Sequence, residues 1–244
     1  MTAHGRGHGD LANQVREYLQ LVENCSVLFR SGLQLYLQDR PDEFQGRLSQ
    51  LRAVEAQAEE LRWRLVSRFC QPGLLTRTRS DLMAFLDGGD VLAKHLVAML
   101  RRLAIEQPEP VLHINAQLNE LAEYAKRTID AMAAAMAAHF GGARDTTALV
   151  RAVHAARDTA GRAGEEYRSA IFRMDLRLSH KLQLSQFADA MDHLAATAAD
   201  TVERTIALSA RPMHRLLGRE SGVLTTAFSI FVITMALVLH LTVS

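Results

Sequence analysis

Apolar residues recur along this chain at intervals of three and four, the spacing of one face of an α-helix. The pattern is clearest between positions 82 and 103. Leu82, Phe85, Leu86, Leu92, Ala93, Leu96, Met99, Leu100 and Leu103 fall on one helical template, and Gly89 is its exception. Such a stripe predicts a single buried face. The pattern breaks at Pro41, Pro72, Pro108, Pro110 and Pro212, and proline is poorly tolerated inside a helix. Six long helices are expected between the breaks. The first runs from a cap at Asp10 to about Asp39, and the second from Pro41, a usable first-turn residue, to Phe69. The loop Gln71-Pro72-Gly73 follows. The third helix starts at Thr78 or Ser80 and ends near Glu106, before the stiff linker Gln107-Pro108-Glu109-Pro110. The fourth runs to His139 and stops at Gly141-Gly142. The fifth starts from an N-cap at Asp145 and ends near Arg177, and the sixth spans about Leu182 to Ala210.

A helix of about 28 residues is about 42 Å long, and such elements joined by short turns pack as antiparallel bundles. The expected fold class is therefore all-α. Two three-helix units lie within residues 10–211, one over about 10–106 and one over about 110–210. The Ala-rich run Ala131 to Ala138 would let a neighbouring helix approach closely. A shift of 110 residues brings Glu55 onto Glu165 and Asp90 onto Asp200, but it sets Glu59 on Ser169. The repeat is evidence of architecture only. Residues 1–9, Gly-rich with His4 and His8, read as a flexible arm rather than a weak metal site.

The last stretch changes the class. Val223 to Val243 holds no charged residue over 21 positions, and a membrane-spanning helix needs about 20. A transmembrane anchor over 222–243 is expected; the alternative, a buried core helix, would normally keep one polar face. Arg211, Arg215 and Arg219 precede it and no charge follows. The positive-inside bias puts residues 1–221 in the cytoplasm. The three arginines are four apart, so they share a helix face that can touch anionic lipid head groups. The segment MTAHGRGHGD has no apolar core to serve as a signal peptide. A single-pass, tail-anchored protein is expected.

Charge and composition narrow the function. Lys and Arg total 28 against 27 Asp and Glu, for a net charge of +1. That balance argues against nucleic acid as a partner. Cys25 and Cys70 have no metal-ligand spacing and read as small buried hydrophobes. No Gly-x-x-x-x-Gly-Lys-Ser/Thr loop, Gly-x-Gly-x-x-Gly turn or Gly-x-Ser-x-Gly elbow occurs. His95, His154, His180 and His193 share no spacing.

The acidic pairs are the remaining chemistry. Glu55 and Glu59 are four apart on the second helix, with Glu60 beside them, and Asp87 and Asp90 are three apart on the third. Two facing helices with two carboxylates each can make an oxygen-rich metal site. The alternative is a solvated acidic face paired with Arg62, Arg64 and Arg68. No His has a Glu three positions before it, which counts against a ferritin-like di-iron oxidase. The arginines 62, 64, 68, 77 and 79 gather at the turn between these helices; their forks suit a phosphate or carboxylate partner, and solvation or contact with lipid or acidic side chains is the simpler account.

The stretch Val54-Glu55-Ala56-Gln57-Ala58-Glu59-Glu60-Leu61, then Arg79-Ser80-Asp81-Leu82 and Phe85-Leu86-Asp87-Gly88-Gly89-Asp90, resembles the PhoU-like superfamily. The branch it resembles is that of proteins associated with Pit-type phosphate transporters. The resemblance covers about residues 12–210, with specific motifs only in 51–95. It implies an accessory or regulatory protein of inorganic phosphate transport at the bacterial inner membrane, not an enzyme. It also implies a divalent or iron ion at Glu55, Glu59, Asp87 and Asp90. Glu59 stands where the family has Asp, and Ser169 and Ala196 interrupt the second cluster. The competing reading is a membrane-tethered helical scaffold that recruits another protein or forms a homo-oligomer. A metal-dependent hydrolase would need a nucleophile or a histidine base near the acidic pairs, and the sequence offers neither.

Overall fold

The computed structural model describes residues 3–69 and 76–210, with side chains placed for 10–69 and 79–206. The expected anchor over 222–243, the row Arg211, Arg215 and Arg219, and Cys70 lie outside the described residues. Among the described residues there is no strand, and no helix is long and apolar enough to cross a membrane.

Among the described residues there are six helices: α1 (Ala3–Leu37), α2 (Pro41–Phe69), α3 (Thr76–Glu106), α4 (Leu112–Phe140), α5 (Thr147–Arg173) and α6 (Leu178–Ala210). The breaks before α2, α4 and α5 fall at proline or glycine, whereas the one between α5 and α6, over 174–177, holds neither. α1 takes in most of the segment expected as a flexible arm, so Asp10 sits inside the helix and not at its cap. Extending a formed helix by one residue costs far less than starting one. Here Asp10 accepts a hydrogen bond from Gln14 and pairs with Arg68 of α2. The cap expected at Asp145 is displaced by one residue. Thr146 is the N-cap, and Asp145 Oδ1 accepts the Thr147 backbone N–H at 2.8 Å. α1 and α3 end on left-handed residues, Asp39 (φ 54°) and Gln107 (φ 43°), a conformation common just past a helix C-terminus. The Tyr36 hydroxyl donates to Pro108 O at 2.5 Å and pins the α3–α4 linker to the end of α1.

Pairings along the helices give their directions. α1 and α3 run parallel, with Tyr18 on Phe85 and Gly32 against Leu100. α4 runs against both, with Arg30 paired to Glu123 at 2.9 Å and the Phe85 and Phe140 rings 5.4 Å apart. α6 runs against α3: Gly88 meets Thr201, His95 meets His193, and Arg102 lies over Phe187. α2 and α5 flank this centre. The two halves are therefore related by an approximate two-fold axis across the bundle, passing near His95 and His193.

The buried positions of the halves overlay helix by helix. Leu11, Val15, Tyr18, Leu19, Val22, Cys25 and Phe29 of α1 correspond to Ile114, Leu118, Leu121, Ala122, Ala125, Thr128 and Met132 of α4. Ala58, Leu61 and Leu65 of α2 correspond to Gly164, Tyr167 and Ile171 of α5. Leu82, Phe85, Leu86, Leu92, Ala93, Leu96 and Leu100 of α3 correspond to Leu184, Phe187, Ala188, Leu194, Ala195, Ala198 and Val202 of α6. The shifts are 103, 106 and 102 residues, not a uniform 110. The turns between helices differ in length, so no single shift can align all three. The α3 stripe is buried as its periodicity predicts, and Gly89 belongs to it because Tyr18 covers it.

Candidate functional site

The element-specific shifts bring two constellations into correspondence. On α2, Glu59-Glu60-Leu61-Arg62 matches Glu165-Glu166-Tyr167-Arg168 on α5. On α3, Asp87-Gly88-Gly89-Asp90 matches Asp189-Ala190-Met191-Asp192 on α6. In each half the arginine of the second helix faces the Asp-x-x-Asp pair of the third.

In the first half Arg62 Nη2 donates to Asp87 Oδ1 at 2.6 Å. Lys94 Nζ lies 2.9 Å from Asp90 Oδ2 and 3.5 Å from Glu59 Oε1. The hydrogen bond to Asp90 holds the Lys94 ammonium protonated above its ordinary range, against a smaller effect of burial. Glu55 belongs to the same neighbourhood. Burial first, then the charges of Glu59 and Asp90, push its carboxyl above the usual value, while Lys94 pulls it down. Behind the site Tyr18 donates to Leu86 O at 3.2 Å, in the space Gly89 leaves open.

In the second half Arg168 Nη1 donates to Asp189 Oδ1 at 3.0 Å and to Asp192 Oδ2 at 2.7 Å. Asp192 is held above the usual carboxylate range by burial, which outweighs Arg168; Asp189 and Glu165 push in the same direction as burial. Beside this ion pair lies a cavity of about 620 Å³ between α5 and α6, lined by Arg157, Arg162, His193, Glu165 and Asp192, among others.

The four acidic residues singled out for a metal thus share one α2–α3 surface, together with two cations. Lys94 sits between Glu59 and Asp90, where a metal ion would have to bind, and Arg62 takes Asp87. Among the described residues, no three His, Cys, Asp or Glu side chains are gathered so that they could hold an ion. A hard divalent cation needs about six oxygen donors. The donor set present fits an ammonium of the protein better than a metal, and no chemistry is routed through a metal here. The histidines that share no spacing in the sequence include one pair the fold brings together. The His95 and His193 ring centroids are 4.9 Å apart across the α3–α6 seam. No nucleophile stands beside a base at either constellation.

No family model matches the chain, and no curated protein matches it. Solved structures do. A PhoU-like protein from Shewanella oneidensis MR-1 superposes with a TM-score of 0.76 at 15% identity, covering 82% of this chain and 100% of its own. The fold is PhoU-like. A second structure, a PhoU-like phosphate regulatory protein of the same organism, superposes with a TM-score of 0.74 at 15% identity, covering 83% of this chain and 100% of its own. Coverage of this breadth spans both three-helix halves of the PhoU-like bundle, including α5 and α6, where the sequence offered no specific motif.

Sequence reasoning missed Lys94, Arg168, Asp189 and Asp192, whereas the pairing of Arg62 with the acidic face is the alternative it had kept open. The signal was present. Glu-Glu-x-Arg and Asp-x-x-Asp each occur twice in the matching helices, but a uniform shift of 110 residues keeps them out of register.

Proposed function

We propose that this chain is an accessory or regulatory protein of inorganic phosphate transport. Its PhoU-like bundle docks on the cytoplasmic face of a phosphate transporter and is tethered there by the apolar segment 222–243. The observation that supports this is the likeness of the whole bundle to two PhoU-like proteins, one of them described as a phosphate regulator. The uncharged stretch from Val223 to Val243 supports the tether. Confinement to the membrane plane raises the effective concentration near a membrane partner. To regulate, the bundle must bind two transporter conformations with different affinities. The reading assigns no catalytic role.

Deletion of the gene should change either the rate of phosphate uptake or its response to external phosphate, and the full chain should restore it. Uptake identical in both respects with and without the protein overturns the proposal. A second reading, a membrane-tethered scaffold with no link to phosphate, draws support from Lys94 and Arg62, which neutralise the first acidic set internally. Affinity capture of the full chain from solubilised membranes separates the two, because only the first expects a phosphate transporter among the partners.

A further inference from the structure

Side-chain contacts fix which helix ends lie together. Arg68, late in α2, pairs with Asp10, early in α1. His139, at the end of α4, stands 3.5 Å from Asp81, near the start of α3. His154, early in α5, stands 3.2 Å from Glu203, late in α6. Gly88 against Thr201 joins α3 to α6 on the same side. The end of α2, the start of α3, the end of α4, the start of α5 and the end of α6 therefore share one end of the bundle. The connections over 107–111 and 174–177 share the other, where His180 Nε2 lies 3.0 Å from Glu109 O.

Charge is unequal between these ends. At the first, residues 61–80 hold five arginines and no acid, and residues 138–157 hold three arginines and one acid. Stretches of the same length at the other end are nearer balance: three basic and three acidic residues over 28–47, two and two over 100–119, four and two over 166–185. Arg62 and Arg68 are taken by Asp87 and Asp10. Arg64, Arg144 and Arg151 are exposed and enter no ion pair among the described residues. The one acid, Asp145, accepts the Thr147 backbone N–H at 2.8 Å. Trp63 stands 57% exposed beside Arg64, and tryptophan is enriched at head-group level in membrane proteins.

We infer that this end of the bundle rests on the anionic lipid surface of the bilayer, with Arg64, Arg144 and Arg151 among the head-group phosphates. The inference rests on the tether proposed for 222–243. Eleven residues, 211–221, separate α6 from that segment. Fully extended they reach about 40 Å at most, less than the roughly 50 Å length of α6 itself. The tether thus holds the α6 end near lipid, while the other end can stand clear of it. The spacer adds Arg211, Arg215 and Arg219 against Glu220 alone, so positive charge accumulates toward the bilayer. Each exposed arginine brought to an anionic leaflet favours the docked bundle roughly fivefold. Docked in this way, the bundle turns Ile105 and Leu112, 69% and 83% exposed, away from lipid.

The full chain in vesicles tests it. A bimane label is placed on Ala143→Cys, between α4 and α5, or on Leu112→Cys at the opposite end, each in a Cys70→Ser background; Cys25 is buried. Phosphatidylcholine with a nitroxide on its head group quenches bimane at short range. With phosphatidylglycerol in the vesicle, the label at 143 should be quenched and the label at 112 should not. In phosphatidylcholine alone, or in high salt, quenching at 143 should fall. Arg64→Gln and Arg151→Gln should each lower the ratio of docked to lifted bundles roughly fivefold. Both residues are exposed, so the outcome does not hinge on a variant that fails to fold. Quenching at 143 no greater than at 112, or indifferent to phosphatidylglycerol or to both arginine variants, overturns the inference and leaves the tether standing. A full chain that does not float with the vesicles overturns the two together.

Discussion

Lys94 carries one charge and meets two carboxylates, with Glu55 close behind them. Removing it leaves three acidic groups facing one another. The ion pairs are half exposed, so solvent screens them and the loss is modest. Lys94→Met should lower stability by about 0.5–1 kcal/mol, and the loss should shrink in 1 M salt, measured by urea unfolding at two ionic strengths. Tyr167 is the opposite case. Its hydroxyl is buried with no hydrogen-bond partner among the described residues, and burial pushes its ionisation upward. Tyr167→Phe removes that unmatched group and keeps the ring, so urea unfolding should find the variant more stable by about 0.5–1 kcal/mol. His95 sets a pH dependence. Burial, then the charge of His193, lowers its value below 6.5. The unfolded chain therefore binds more protons in the window between the folded value and 6.5, and stability falls as pH drops through that window. Below the folded value this contribution levels off. His95→Gln should flatten that part of a plot of Tm against pH.

At the scale of the helix, close approach decides where substitution is tolerated. Gly88 lies against Thr201, and a Cβ there would run into the threonine side chain. Gly46 and Gly161 have open space. Gly88→Ala should therefore cost about 1–3 kcal/mol by forcing α3 away from α6, whereas Gly46→Ala should gain about 0.5–1 kcal/mol from helix propensity alone. Chemical denaturation of the two variants side by side checks both signs. The elements themselves were legible because their signals are local. Pro41 opens α2, Gly141 follows α4, and the stripe from Leu82 to Leu103 is buried as its spacing says. The start of α1 was not legible, since Gly5, Gly7 and Gly9 argue against a helix that the structure nonetheless extends to Ala3. The pairing of Arg168 with Asp189 and Asp192 was hidden for a different reason. It joins helices through a register that no single shift reproduces, and only the burial pattern reveals it.

Across the molecule, the two halves meet along α3 and α6 and along α1 and α4, with the ion-pair constellations on the flanks formed with α2 and α5. The fold class, six helices in two similar units, followed from punctuation and period. The likeness to PhoU-like structures extends that reading over the second half, where the motifs are weakest. The proposed function rests at this scale on a partner. If the bundle regulates a transporter, a variant with both Arg62→Ala and Arg168→Ala frees three aspartates, Asp87, Asp189 and Asp192, at two matching places. Phosphate uptake in a deletion strain carrying it should differ from uptake with the wild type. Equal uptake at equal protein level would remove the constellations from the docking surface.

The near-equivalence of the halves also bears on how the chain is made. During synthesis α1, α2 and α3 leave the ribosome first, with the surfaces of α1 and α3 that will receive α4 and α6 still uncovered. Those surfaces fit a second set of three helices patterned much like their own. Two growing chains on one messenger are therefore each other's nearest mimic of the missing half. The short proline linker after α3, held down by Tyr36, keeps each chain's own α4 close at hand, which gives it a higher effective concentration than a second chain's helices.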